Sequence, residues 1–208
     1  MKCFTSTATA ATVFPGCGRG AKLLATAALM LTLGAATAYA HDGSVKMTYS
    51  GTNENSIINL QQPDTTTSED SFAGEGTLGS FTVHNIRAQA NTPSASSTCS
   101  GANQLFFIEP AGGSVFRFQD GSLLELNLTQ GEDCVDFSTG LAHCTLTFQV
   151  TGGTGRFKHA SGTLTMTETA GVVLSDALGN PVWFFGTGEF TGTVSGVARD
   201  EDRREDRQ

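Results

Sequence analysis

The sequence predicts an all-β protein whose antiparallel sheet closes into a barrel. Apolar and polar residues alternate with a period of two in several segments, as expected for strands that bury one face. Turn-forming residues separate these segments at regular intervals, and helical periodicity is almost absent after residue 40. The alternation predicts that Phe, Leu and Val line the interior while Thr, Ser and Gln face water.

The predicted strands cover residues 45–49, 81–89, 105–109, 115–119, 123–129, 144–150, 163–169, 182–185 and 190–194. Polar loops are predicted at Pro63–Ser71 and Asn91–Ser100. The clearest local signal is Asp120-Gly121 between two apolar segments, because this dipeptide accepts the positive φ values of a tight hairpin turn.

Residues 1–40 have the composition of a secretory signal peptide. Basic residues precede an apolar stretch at 23–36, and Ala38 and Ala40 occupy the positions that a signal peptidase reads. We expect cleavage after Ala40 and a secreted or periplasmic protein. The apolar stretch is shorter than the ~20 residues of a membrane span, so no span is predicted. A barrel domain is expected over 41–197 and a charged, disordered tail over 198–208.

The charge of the chain argues against nucleic acid as a partner. The sequence contains 12 Lys and Arg against 20 Asp and Glu, a net charge of −8, and loss of residues 1–40 would remove three basic residues and no acids. Phosphate binding requires clustered Lys and Arg, whereas here they are scattered or lie beside acids. The glycine-rich segments lack the Lys-Ser/Thr that follows a phosphate-binding loop, so no nucleotide site is predicted.

Three cysteines follow residue 40: Cys99, Cys134 and Cys144. Outside the reducing cytosol two of them can form a disulfide. Cys134 and Cys144 flank an eleven-residue segment that is predicted to be a hairpin loop, so this pair is favoured. Cys99 remains an open alternative because connectivity cannot be deduced from spacing. Three dispersed cysteines do not form a ligand cluster, and no metal is predicted.

Two groups of candidate site residues follow from the strand pattern. One consists of aromatic residues that either line a pocket for a small apolar molecule or pack as core: Phe116, Phe118, Phe148, Trp183 and Phe185. The other consists of polar strand residues that either enter the cavity or face outward: His84, Arg87, Glu125 and Asn127.

Catalytic motifs are weak in this sequence. Cleavage after Ala40 would expose His41, whose amine and imidazole could bind copper with a second histidine; His84, His143 and His159 are the available partners, and none lies in a motif. The sequence contains no Gly-x-Ser-x-Gly, and spacing nominates no pair of glycosidase carboxylates. No cofactor is predicted, and the sequence leaves open whether the protein is an enzyme.

The segments Val150–Phe157 and Ala160–Leu164, with the Asp-Gly-Ser turn after Phe118, resemble the strand-turn signature of allene oxide cyclase and dirigent barrel proteins and their secreted bacterial relatives. The resemblance covers about residues 100–196. It implies a calycin-like barrel of eight strands with an apolar cavity, often trimeric, so a homo-oligomer is possible. The cyclases close a fatty-acid epoxide, and dirigent proteins steer phenolic radical coupling with cavity acids, but neither group's site residues map onto this motif.

From these observations we expect a secreted barrel that binds a small apolar or aromatic molecule. Two alternatives remain: a cofactor-free isomerase or cyclase of the allene oxide cyclase type, and a structural module with a filled interior. A void of roughly a few hundred Å³ that contains a buried acid or histidine favours binding or catalysis, whereas a fully packed interior favours the structural module.

Overall fold

The computed structural model describes residues 43–198. The predicted signal peptide, His41 and the tail from residue 199 lie outside this range. Over residues 43–198 no helix combines the length and the hydropathy that crossing a bilayer demands.

The described chain forms nine antiparallel strands and one short 3-10 helix, which confirms the predicted all-β fold. The strands are β1 (Gly43–Asn55), β2 (Thr65–Gly76), β3 (Phe81–Ala90), β4 (Gln104–Ile108), β5 (Ala111–Phe118), β6 (Leu123–Asp136), β7 (Leu141–Gly153), β8 (Ser161–Ser175) and β9 (Pro181–Ser195), with the helix at Gly155–Phe157. The strand order β6-β5-β3-β2-β1-β9-β8-β7 closes through pairing of β6 with β7. Eight strands therefore form a closed barrel, and β4 lies outside it.

Strand β6 connects the barrel to β4. Its first half pairs with β5, and its second half pairs with β4 from Glu132 to Asp136. Its register with β7 shifts between Glu125 and Leu126 and again between Leu128 and Gln130. The first shift places its extra residue, Thr151, in β7, whereas the second places Thr129 as an extra residue in β6 and so changes which β6 residues face inward. Inward positions are therefore Leu124, Leu126 and Leu128 before the second shift and Asp133 after it.

Polarity inside the barrel changes along its axis. In β1, β3 and β8 the inward residues near the start of the strand are apolar and those near its end are polar: Val45, Met47 and Tyr49 before Asn53; Phe81 and Val83 before Asn85 and Arg87; Leu164 and Met166 before Glu168. These three strands run in the same direction, because each is separated from the next by one antiparallel neighbour. One end of the interior is therefore apolar and the other polar.

Aromatic side chains fill the apolar end. Phe116 contacts Phe190 and Phe81 with ring centroids 4.8 and 5.1 Å apart. At the bottom of this end the guanidinium of Arg156 lies over Phe118 and Phe157, 4.8 and 4.6 Å from the ring centroids. Arg156 also donates a hydrogen bond to the carbonyl of Leu78. This end of the barrel is a packed aromatic core.

Two strand predictions require correction. Residues 65–71, predicted as part of a polar loop, belong to β2, where Asp70 and Phe72 face inward and Ser71 faces out. The two predicted strands at 182–185 and 190–194 form one continuous strand, β9, which pairs with β1 through Gly186 and Gly188. In both places polar residues or glycines interrupt the apolar pattern without interrupting the backbone ladder.

The predicted disulfide between Cys134 and Cys144 is wrong, and the structure pairs Cys99 with Cys134 instead. The predicted loop is mostly strand: β6 continues to Asp136 and β7 begins at Leu141. In this ladder Cys144 is opposite Asp133 and Cys134 is opposite His143, so the two cysteines point to opposite faces of the sheet. Cys144 is buried inside with a free thiol, while Cys134 faces the segment that precedes β4.

The turn at Asp120-Gly121 is confirmed as a hairpin between β5 and β6, but positive φ occurs at Gly121 alone, at +79°. Asp120 caps the turn, since its side chain accepts a hydrogen bond from the Ser122 amide. A Cβ at Gly121 would contact nothing within 4 Å, so only backbone conformation opposes a side chain there.

Gly121→Val is therefore expected to destabilise the protein by about 1–2 kcal/mol, the usual cost of a left-handed conformation for a residue with a Cβ. Urea denaturation measures this loss. Gly121→Asn is the matched control and should lose less, since Asn tolerates this region. Equal stability of the Val variant and the wild type would contradict the assigned turn.

Candidate functional site

The polar end of the barrel contains an ionic cluster that is almost completely buried. Its members are Arg87 of β3, Asp70 of β2, Asp133 of β6, Glu168 of β8 and Glu109, which follows β4, each with a side chain at most 6% exposed. Alternation along β2, β3 and β8 directs three of them inward, and the register shift in β6 directs Asp133 inward. Four carboxyl groups thus surround one guanidinium.

Arg87 is held by three of these carboxyl groups. Its Nη1 donates to Glu109 Oε1 at 3.0 Å and its Nη2 to Glu168 Oε2 at 3.5 Å. Its Nε lies 3.2 Å from Asp70 Oδ2 as an ion pair without hydrogen-bond geometry. Asp133 Oδ1 is more distant, 4.0 Å from Nη1. The positive charge of Arg87 is therefore largely compensated by Glu109, Glu168 and Asp70.

Neutral side chains donate to one carboxylate oxygen each of Glu168, Asp70 and Asp133. Asn53 donates to Glu168 Oε1 at 3.3 Å and Asn85 to Asp70 Oδ2 at 3.2 Å, and Gln89 donates to Asp133 Oδ2. Burial, and with it the neighbouring carboxyl group of Asp133, raises the pKa of Glu109. Two oxygens of this pair, Glu109 Oε2 and Asp133 Oδ1, are buried without any N–H or hydroxyl donor.

Glu109 reaches the cluster because β6 has a glycine beside it. A Cβ at Gly131 would lie 2.7 Å from the Cβ of Glu109 and 2.8 Å from Leu146, closer than side chains approach. The Glu109 amide donates to the Gly131 carbonyl at 2.9 Å. Gly131 therefore allows the segment after β4 to insert a carboxyl group into the barrel wall.

Burial and mutual repulsion favour protonated carboxyl groups in this cluster. Burial raises the pKa of Glu168 to about 8, in spite of Arg87, which lowers it. Burial also raises the pKa of Asp70 and raises that of Glu109 well above its ordinary value. Burial alone would lower the pKa of Arg87, but Asp70, Glu109 and Glu168 raise it well above its usual value. Arg87 thus stays charged while part of the acid set is neutral.

The stability of the protein should consequently fall as the pH rises. A carboxyl group whose pKa is raised by folding stabilises the protein fully while the pH lies below its pKa in the unfolded chain, near 4.5 for Glu168. This stabilisation is lost as the pH rises through its pKa in the folded protein, about 8. We expect the free energy of unfolding to drop by on the order of 3 kcal/mol between pH 5 and pH 9. Urea titrations at several pH values measure this dependence.

Glu168→Gln is the matched variant for this prediction, because Gln mimics the neutral acid and should flatten the pH profile. Hydrogen bonds lower the pKa values of the exposed Asp136 and Asp176. Their contribution is lost only as the pH falls below about 3.8, outside the tested range. A wild-type profile that rises from pH 5 to pH 9 would contradict the assigned protonation.

A pocket of about 340 Å³ opens at this end of the barrel, above the ionic cluster. Its floor includes Asn53, Arg87, Gln89, Asp133 and Cys144, and its walls include Val135, Phe137, Leu141, Ala142, Ala170, Val172, Pro181 and Phe184. Burial raises the pKa of the Cys144 thiol well above its ordinary value, so this sulfur is neutral. The pocket, hereafter the mouth pocket, has a polar floor and mainly apolar walls, which also include Asn55, Ser68 and Asp136.

The predicted aromatic candidates do not come together at the mouth pocket. Phe116, Phe118 and Phe148 are buried in the core, at 0%, 3% and 2% exposure, while Trp183 and Phe185 lie on the outer surface at 39% and 40%. The pocket's aromatic walls are Phe137 and Phe184. A ligand role for the five candidates is untested and remains a prediction.

Of the four polar candidates, Arg87 alone lies in the cluster. His84 is exposed and lies 3.5 Å from Glu69, and Glu125 and Asn127 are exposed on the outer face of β6. Asp70, Glu109, Asp133 and Glu168 were not predicted as site residues from the sequence. Glu168 carried a visible signal, because it interrupts the apolar face of β8. In the described chain no group of His, Cys, Asp and Glu side chains has the arrangement of a metal site.

Comparison with known proteins gives structural matches only. No protein-family model matches the chain, and no curated protein matches it. Among solved structures, the pterocarpan synthase dirigent protein GePTS1 matches 74% of this chain and 89% of its own at 11% identity, with a TM-score of 0.33. The pterocarpan synthase dirigent protein PsPTS1 matches 73% and 95% at 10% identity, with a TM-score of 0.32.

The strand pairing of the described residues defines the fold independently of these matches. By that pairing the chain is a closed, eight-stranded antiparallel barrel protein, and dirigent proteins are among the solved structures to which it is similar.

Proposed function

We propose that the protein binds a small, largely apolar or aromatic molecule in the mouth pocket. The observation that carries this proposal is a void of about 340 Å³ in a barrel whose other end is filled by side chains. This volume lies at the lower end of the ~300–1,000 Å³ range of ligand pockets, so it suits one or two fused rings. Apolar walls bury the ring system, and the polar floor accepts one polar group.

Filling the pocket should weaken binding. Ala142 lies on β7 between Val135 of β6 and Ala170 of β8, and all three line the pocket. Ala142→Phe is expected to weaken binding of a neutral aromatic probe, naphthylmethanol, at least about tenfold, the effect of losing ~1.4 kcal/mol. Isothermal titration calorimetry measures the affinity.

The control for this variant is the next residue of the same strand. His143 faces outward and is exposed, so His143→Phe adds the same ring on the opposite face of β7 and should leave the affinity unchanged. Binding that is equally strong in the Ala142 variant would place the probe outside the mouth pocket. If the wild type does not bind the probe, the protein is better explained as a structural module.

The neighbouring carboxyl groups of Glu109 and Asp133 favour a second candidate, a cofactor-free isomerase or cyclase. A protonated carboxyl group can donate a proton to one atom while a neighbouring carboxylate accepts one from another, and Asp133 lines the pocket. Asp133→Asn preserves side-chain volume and should abolish turnover of an unsaturated epoxide while retaining naphthylmethanol binding. Unchanged turnover would exclude Asp133 as the acid or base.

We also propose that the protein is exported and acts outside the cytosol. The disulfide between Cys99 and Cys134 supports this location. Sequencing of the mature N-terminus should begin at His41. Assembly into a homo-oligomer is a further expectation, which sedimentation of the mature protein tests.

A further inference from the structure

We propose that the mouth pocket selects a cationic ligand, an aromatic or aliphatic amine, whose ammonium group binds Asp133. This inference rests on the binding function proposed above and specifies the class of ligand. It follows from the charge of the floor, from an unpartnered oxygen on Asp133, and from the surroundings of Arg87.

The floor carries more negative than positive groups. Arg87 provides one positive charge, whereas Asp70, Glu109, Asp133 and Glu168 provide up to four negative charges. Cys144 from β7 and Tyr49 from β1 also face the cluster, and burial raises the pKa of both, so both are neutral. Even with two of the four carboxyl groups protonated, the cluster retains a net negative charge.

Two acids line the pocket, Asp133 and Asp136, whereas Asp70, Glu109 and Glu168 do not. Both oxygens of Asp136 already accept hydrogen bonds, Oδ1 from Ser138 and Oδ2 from Gln104, so Asp133 is the acid left for a ligand. Its Oδ2 is bound by Gln89, while its Oδ1 is buried, 4.0 Å from Arg87, and accepts no bond from an N–H or hydroxyl group. A buried acceptor without a donor destabilises the site, and a ligand ammonium that enters the pocket would supply the missing donor.

An anionic ligand finds no equivalent partner on the floor. Arg87 also lines the pocket, but its Nη1 and Nη2 donate to Glu109 and Glu168 at 3.0 and 3.5 Å, and its Nε faces Asp70. A ligand carboxylate would have to displace one of these acids and would add to the negative charge. The walls favour a cation as well, because the rings of Phe137 and Phe184 can attract one.

The test compares three probes that share one ring system and differ in charge: naphthylmethylamine, naphthylmethanol and naphthoate. At pH 7 and low ionic strength we expect the amine to bind at least about tenfold more tightly than the alcohol, since a close charge pair in a partly buried site exceeds 1.4 kcal/mol. Naphthoate should bind at least about tenfold more weakly than the alcohol. Titration calorimetry measures all three.

Asp133→Asn should remove most of the preference for the amine, so that the affinity for the amine falls to near that for the alcohol in the same variant. Glu132→Gln is the matched control, because Glu132 is adjacent on β6, points to the opposite face and carries the same charge; the preference should persist in it. Equal affinity of the amine and the alcohol, or tighter binding of naphthoate, would overturn this inference while leaving the proposed binding function in place. Failure of all three probes would instead count against the binding function.

Discussion

Arg87→Met is expected to lower the free energy of unfolding by about 3–5 kcal/mol at pH 7, the cost of breaking a buried ion pair by removing one partner. Arg87 is the one cation among the buried side chains of the described chain, and it contacts carboxyl groups from three parts of the fold. Its removal leaves four buried acids without a counter-charge. Urea denaturation monitored by circular dichroism measures the loss.

The size of this loss should depend on pH. At pH 5 more of the cluster acids are protonated, so fewer uncompensated charges remain and the loss should be smaller than at pH 8. Arg117→Met is the matched control: Arg117 is exposed on β5, and its replacement should change stability by no more than about 0.5 kcal/mol. A loss below about 1 kcal/mol for Arg87→Met would show that solvent enters the cluster and screens it.

Removal of the disulfide by the double substitution Cys99→Ala and Cys134→Ala should cost about 3–4 kcal/mol. The bond closes a segment of 35 residues, for which the chain-entropy model gives a value in this range. It also attaches the loop before β4 to β6, and β4 pairs with the barrel through β6 alone. The midpoint of urea denaturation measures the effect.

Cys144→Ala is the control for the disulfide variant, since it removes a buried thiol and leaves the disulfide intact. Its cost should stay near 1 kcal/mol, the usual size of a single buried substitution. Peptide mapping of the wild type without reduction should give one linked fragment that contains Cys99 and Cys134. A linked fragment with Cys144 in it would contradict the strand register of β6 and β7.

The alternation of the sequence was sufficient to predict the barrel and the positions of most strands, because the inward apolar residues of β1, β3, β7 and β8 follow a strict period of two. It failed where polar residues occupy inward positions. Residues 65–71 look like a loop because Thr, Ser, Glu and Asp dominate them, although Asp70 has the same parity as Phe72. A polar cluster inside a barrel removes the contrast on which such predictions depend.

The candidate site was harder to predict because two of its acids depend on irregular backbone. Asp133 has odd numbering, whereas Leu124, Leu126 and Leu128 have even numbering, so strict alternation from these leucines would direct Asp133 outward. The register shift between Leu128 and Gln130 reverses this parity. Glu109 enters the barrel only because Gly131 leaves space for it. Neither the register shift nor the space beside Gly131 can be recognised in a single sequence, because both segments look like ordinary strands.

Arg87 could be predicted as a cavity residue because it is separated from Phe81 and Val83 by an even number of positions in β3 and so lies on the same face. Its partners come from β2, β6, β8 and the segment after β4, and strand order around the barrel is needed to bring them together. The sequence therefore identified one member of the cluster, and the topology supplied the others.

The most direct test of the account is a crystal structure of the protein with naphthylmethanol bound. We expect the ring between Phe137 and Phe184 in the mouth pocket, with its hydroxyl group directed to the polar floor. Electron density for the ring among Phe116, Phe118 and Phe148 at the packed end, or on the outer surface beside Trp183 and Phe185, would contradict the location of the site.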